Sequence, residues 1–114
     1  NLIANAIDAM PSGGRLVVKA ARSKEWNNAG LAGVRVTIAD TGIGIPDKNR
    51  KNLFRAFYTT KKDVGTGLGL WLVYGTISKH NGMIHVRSKA EPGKSGTVFS
   101  VFLPRTHSLK NSIS

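Results

Sequence analysis

The chain has 114 residues, enough for one domain with its own core, and its 40% hydrophobic content is that of a globular protein. It has no cysteine, which excludes disulfides and thiolate metal sites and fits a reducing compartment, and no apolar run approaches the roughly 20 residues of a membrane-spanning helix. Lys and Arg number 17 against 6 Asp and Glu, a net charge of +11 that favours anionic ligands. The charges are scattered and no aromatic stripe interleaves with them, so nucleic acid is not expected as the partner. The sequence opens on Asn1 with no initiator Met and no basic-then-apolar leader, which reads as a piece of something longer.

NLIANAIDAM reads as an amphipathic helix. At ~100° per residue Leu2, Ile3, Ala6, Ile7, Ala9 and Met10 share one broad arc, and Asn1, Asn5 and Asp8 fall opposite. PSGG ends it, and RLVVKAA, Arg15 to Ala21, follows as a strand. A polar loop of about a dozen residues leads to VRVTIAD, the clearest strand, with Val34, Val36 and Ile38 alternating against Arg35 and Thr37. The two strands predict an antiparallel hairpin. PDKNRKNLFRAF reads as a short helix with Asp47 near its start, and a second helix runs from about Thr66 to His80, closed by Asn81-Gly82. MIHVRSKA and GTVFSVFL are two further strands joined by EPGKSG, and residues 105–114 are a polar tail. The order predicts an α+β domain over residues 1–104, with one antiparallel-rich sheet and helices layered on one face.

Three stretches invite chemistry. In DTGIGIP, Asp40 to Pro46, Asp40 continues the phase of Val34, Val36 and Ile38 and so points to the apolar side. A carboxylate there needs a partner. It is either a capping Asp bonding turn amides or an acceptor held for a ligand N–H. Gly42 and Gly44 let backbone pass close to a flat ligand. In GTGLGL, Gly65 to Leu70, alternate glycines lead into a helix, a flexible loop or an anion site. The Asn1, Asn5, Asp8 stripe is either a solvated helix face or a source of one hard oxygen ligand, Asn5, for Mg²⁺. Lys61 and Lys62 precede the glycines and are either solvated or within reach of a terminal phosphate. His80, His85 and His107 lack metal-ligand spacing.

Taken together the motifs resemble the catalytic ATP-binding domain of bacterial two-component sensor histidine kinases, within the ATPase superfamily shared with gyrase, Hsp90 and MutL. NLIANAIDAM looks like the N box, DTGIGIP the G1 box, LFRAFYTTK the F box, GTGLGLWLV the G2 box and GTVFSVFLP the closing strand, in family order over nearly the whole chain. The resemblance implies a two-layer α/β sandwich with a mixed, mostly antiparallel sheet, N-terminally truncated here, and a pocket for ATP with Mg²⁺. It implies that Asp40 accepts the adenine amine with Thr97 beside it, and that Asn5 ligates Mg²⁺. Asp8 and Ile45 fall within the implied site, and Gly42 and Gly44 would shape the adenine wall. Gly65, Thr66, Gly67, Leu68, Gly69 and Leu70 would border the phosphates, and Thr60 and Lys61 fall where a lid approaches the triphosphate. Six residues, Thr59 to Val64, separate Tyr58 from Gly65, a short lid like that of the nitrogen-regulation type.

The superfamily's ATP-hydrolysing members carry a Glu one turn before the metal-binding Asn; here that position is Asn1. Histidine phosphorylation needs no such base, because neutral imidazole is already nucleophilic, so the departure favours a kinase; Asp8 is the alternative base. The implied partners are the histidine-bearing hairpin of the same parent protein, absent here, and a response regulator. The parent would be a homodimer with its kinase in the cytoplasm. By itself the piece is not expected to autophosphorylate. The alternatives are a regulatory ATP-binding module without catalysis and an anti-sigma-type serine kinase.

Overall fold

The computed structural model describes residues 1–25, 28–54 and 69–105. Helix α1 (Leu2–Asp8) is followed by strands β1 (Leu16–Glu25) and β2 (Asn28–Asp40), a short helix α2 (Asp47–Arg50), helix α3 (Gly69–Lys79), and strands β3 (Met83–Lys89) and β4 (Gly96–Pro104). The four strands form one sheet in the order β1-β2-β4-β3, and each neighbouring pair is antiparallel. This is the α+β, antiparallel-rich sheet the strand patterns predict.

Residues directly opposite one another in an antiparallel pair share a face. The register therefore places Val36, Ile38, Asp40, Thr97, Phe99, Val101, Ile84, Val86 and Ser88 on one face. Ile38, Phe99 and Val101 are buried there and form the core with Ala6 of α1, Leu53 and Ile77 of α3. The opposite face carries Lys19, Arg35, Thr37, Ser100, His85 and Arg87, as expected for a sheet that buries one side and hydrates the other. Phe102 lies on that face yet is fully buried, its ring lying close to Gly33.

Several expectations are corrected. The polar loop of about a dozen residues is mostly strand: Arg22, Ser23 and Lys24 pair with Val34, Gly33 and Ala32, and the register shifts between Lys24 and Glu25. Backbone pairing across a hairpin proceeds without apolar alternation, so composition hides it. Helix α1 ends at Asp8, with Ala9 as its C-cap, and its apolar arc is only partly used. Ala6 is buried, whereas Ile3 and Ile7 are 45% and 57% exposed. Helix α2 is one turn, continued by turns through Phe54; the rest of the predicted helix lies outside the described residues.

The expected Asn81-Gly82 cap of α3 is present. Asn81, not Gly82, takes the left-handed conformation, φ 59°. The Gly82 amide closes back on the Ile77 carbonyl at 2.9 Å. Gly82 is needed for another reason: a Cβ there would meet the Phe102 carbonyl and sit 2.9 Å from the Ile77 side chain. Strand β4 is followed by Arg105, whose amide bonds the Ala32 carbonyl at 2.8 Å. The remainder of the predicted tail, 106–114, lies outside the described residues.

Candidate functional site

The strand phase of β2 carries Asp40 inward, as its sequence requires, and the residue is 8% exposed. One of its oxygens, Oδ1, accepts the Gly42 amide at 2.8 Å. That is the turn-capping bond, so this reading of Asp40 is correct as far as it goes. The other oxygen makes no hydrogen bond among the described residues, although a buried carboxylate is costly to leave half satisfied. Directly opposite Asp40 on β4 stands Thr97, 4% exposed. The two side chains, with Ser88 opposite Thr97 on β3, form a polar end to the sheet face that carries Ile38, Phe99 and Val101.

The DTGIGIP loop is sewn to the fold at both ends. The Ile43 amide bonds the Ala9 carbonyl at the end of α1 at 2.9 Å, and the Ile45 amide bonds Ser88 Oγ on β3 at 2.7 Å. Thr41 holds the start of β1, its Oγ1 accepting the Arg15 amide at 2.9 Å. The glycines of this loop serve the protein before any ligand. A Cβ on Gly42 would sit 2.7 Å from the Ala9 methyl, and one on Gly44, at φ 77°, would overlap the Lys89 carbonyl oxygen. The sequence assigned their missing side chains to a ligand; the structure fills that space with α1 and β3 backbone.

Ser88, which the sequence motifs do not single out, also holds this loop. Its Oγ also lies 2.8 Å from the Gly96 carbonyl and 2.7 Å from Thr97 Oγ1. The signal was present in the sequence. Ser88 shares strand phase with Ile84 and Val86, so it is a polar residue in an inward position, as Asp40 is on β2. Arg50 of α2 closes the outer side, bonded to the Asp47 carboxylate and, at 3.2 Å, to the Ser88 carbonyl.

Residues 1–107 match the family described as Histidine kinase-, DNA gyrase B-, and HSP90-like ATPase. The chain belongs to this ATPase family. It is 42% identical over 114 aligned positions, 92% of its length, to the sensor kinase CckA of Brucella abortus. It is 40% identical over 91% of its length to the sensory histidine kinase/phosphatase NtrB of Azospirillum brasilense. The aligned part is 12% of the first relative and 27% of the second, so the chain spans a minor part of each. Among solved structures it superposes on a mycobacterial sensor histidine kinase, MprB, with a TM-score of 0.71 at 31% identity, over 90% of this chain and 64% of that one. The resemblance of its boxes to the catalytic ATP-binding domain of sensor histidine kinases is therefore borne out, as is the α+β fold.

In this ATPase domain the described site residues fall in two groups. Asp40, Gly42, Gly44, Ile45 and Thr97 gather at one end of the sheet, where the G1 loop joins β3 and β4. Asn5 and Asp8 belong to α1, whose carboxyl end is bonded to the same loop. Asn5 is half-buried rather than on a fully solvated face, and Asp8 is exposed. The side chain of Asn1, one turn before Asn5, lies 3.8 Å from where a Cβ on Gly69 would stand. The start of α3 thus meets the polar stripe of α1. Gly69 and Leu70 form the first turn of α3 and are half-buried. Thr60, Lys61, Gly65, Thr66, Gly67 and Leu68 lie outside the described residues.

A carboxamide oxygen on a half-buried helix face suits a hard cation that keeps most of its ligands as water and phosphate. Such an ion needs few protein ligands, and no group of three or more His, Cys, Asp or Glu able to hold a metal occurs among the described residues. Asn5 fits that demand. No helix among the described residues is long and apolar enough to cross a membrane.

Proposed function

We propose that the domain binds ATP with Mg²⁺ and supplies the γ-phosphoryl group to a histidine on a separate hairpin of a parent sensor kinase. The carrying observation is the second oxygen of Asp40, which belongs to a buried residue and is unbonded among the described residues, beside Thr97 at the edge of a loop fixed on both sides. It is an acceptor waiting for a ligand donor, and the adenine amine is the donor that an ATPase of this family would bring. Asn5 would hold Mg²⁺, which neutralises the phosphate charge during transfer. Asn1 stands where a hydrolase would place its base, and its carboxamide does not activate water near neutral pH. Catalysis then consists of positioning and charge neutralisation, which suffices when the acceptor is a neutral imidazole.

The short segment between Tyr58 and Gly65 and the similarity to NtrB support a short-lid, nitrogen-regulation-like kinase acting through a response regulator. Asn5→Ala should abolish the Mg²⁺ dependence of nucleotide binding while leaving Mg²⁺-free binding nearly unchanged, measured by calorimetry with and without chelator. With the chain joined to its histidine hairpin, γ-labelled ATP should give acid-labile, base-stable phosphate. Acid-stable label on Ser or Thr would contradict the histidine assignment.

A further inference from the structure

Ser88 Oγ has three neighbours and one proton. The Ile45 amide donates to it at 2.7 Å, using one lone pair. The Gly96 carbonyl, 2.8 Å away, can only accept, so the Ser88 proton goes there. The third contact, 2.7 Å to Thr97 Oγ1, must then be a bond donated by Thr97 to the remaining Ser88 lone pair. The reverse arrangement, Ser88 donating to Thr97, leaves the half-buried Gly96 carbonyl without the serine's hydrogen bond. With its proton committed to Ser88, Thr97 turns only lone pairs toward the ligand side.

Thr97 and Asp40 are opposite one another on β4 and β2. Both therefore present acceptors from neighbouring strands, whose facing Cβ atoms stand about 4.5–5.5 Å apart. Two acceptors bonded to the hydrogens of one planar –NH₂ group stand about 5 Å from each other. We infer that Ser88 is a positioning residue that fixes the polarity of the Thr97 hydroxyl, so that Asp40 and Thr97 together read both hydrogens of an exocyclic amine and reject purines lacking one. The inference rests on the nucleotide-binding reading above. Ser88 touches no ligand; it acts through Thr97, and through Ile45 it also seats the loop that carries Gly44.

The test compares ATP with 6-chloropurine riboside triphosphate, which lacks the amine and keeps the rest of the molecule, on the full 114-residue chain. Wild type should prefer ATP. Ser88→Ala frees the Thr97 proton, and the preference should narrow about three- to tenfold, the worth of one hydrogen bond. Ser88→Thr, which keeps the hydroxyl, should restore it. In a Thr97→Val background Ser88→Ala should leave the ratio unchanged. Thermal melts of the nucleotide-free variants verify folding. Equal loss of both ligands in Ser88→Ala, an unchanged ratio, or a narrowing that persists with Thr97→Val would overturn the polarity role. Failure of wild type to bind either triphosphate would instead overturn the nucleotide reading beneath it.

Discussion

Asp40 divides its carboxylate between two tasks. One oxygen closes the turn onto the Gly42 amide, and the proposed nucleotide site assigns the other to a ligand donor. Turn capping, which is seen, and ligand binding, which is proposed, are therefore compatible in one group. Gly44 shows how tightly the same loop is held. Its φ of 77° and the adjoining Lys89 carbonyl leave no room for a side chain. Gly44→Ala should cost about 2 kcal/mol or more through backbone strain and overlap. A lowered melting temperature together with weakened nucleotide binding would show it. Wild-type stability in that variant would mean the loop is not pinned to β3.

Among the elements, α1 carries the proposed Mg²⁺ ligand Asn5 on a helix whose apolar arc is only partly covered. Ala6 packs under it while Ile7 faces outward. Ala6→Leu should overpack the contact with β2 and cost about 1–3 kcal/mol. Ile7→Ser should stay within about 0.5 kcal/mol of wild type. Chemical denaturation of the two variants checks the ordering. The periodicity of NLIANAIDAM made the helix legible, but not how much of its arc finds a partner, because that depends on which strands lie beneath. The β1-β2 hairpin teaches the converse. Its distal half was read as loop since residues 22–33 lack apolar alternation, yet main-chain pairing extends through Lys24 and Ala32. Where pairing is carried by main-chain bonds alone, side-chain pattern stops reporting strands. Ser88 and Asp40 were equally legible in principle, each a polar residue in an inward strand phase. Asp40 is the more conspicuous of the two, because an inward charge demands a partner more strongly than a hydroxyl does.

Across the whole molecule the net charge of +11 sets the approach of an anionic ligand. Nucleotide association should be steered by this field, so the on-rate should fall as salt rises while the off-rate changes less. Stopped-flow measurements over a range of ionic strength read both. A salt-independent on-rate would show that the charge is not aimed at the site. The sheet, its register and one fixed loop bring together residues 57 positions apart, Asp40 and Thr97. That juxtaposition was expected from the motif order and is supplied physically by β2 pairing with β4. The most direct test is a nucleotide titration of wild type against Asp40→Asn. The account predicts that replacing a charged acceptor by an amide weakens ATP binding by about 1.5–3 kcal/mol, with the fold retained. Equal affinity in the two proteins would contradict the assignment of Asp40 as the adenine acceptor, and with it the site.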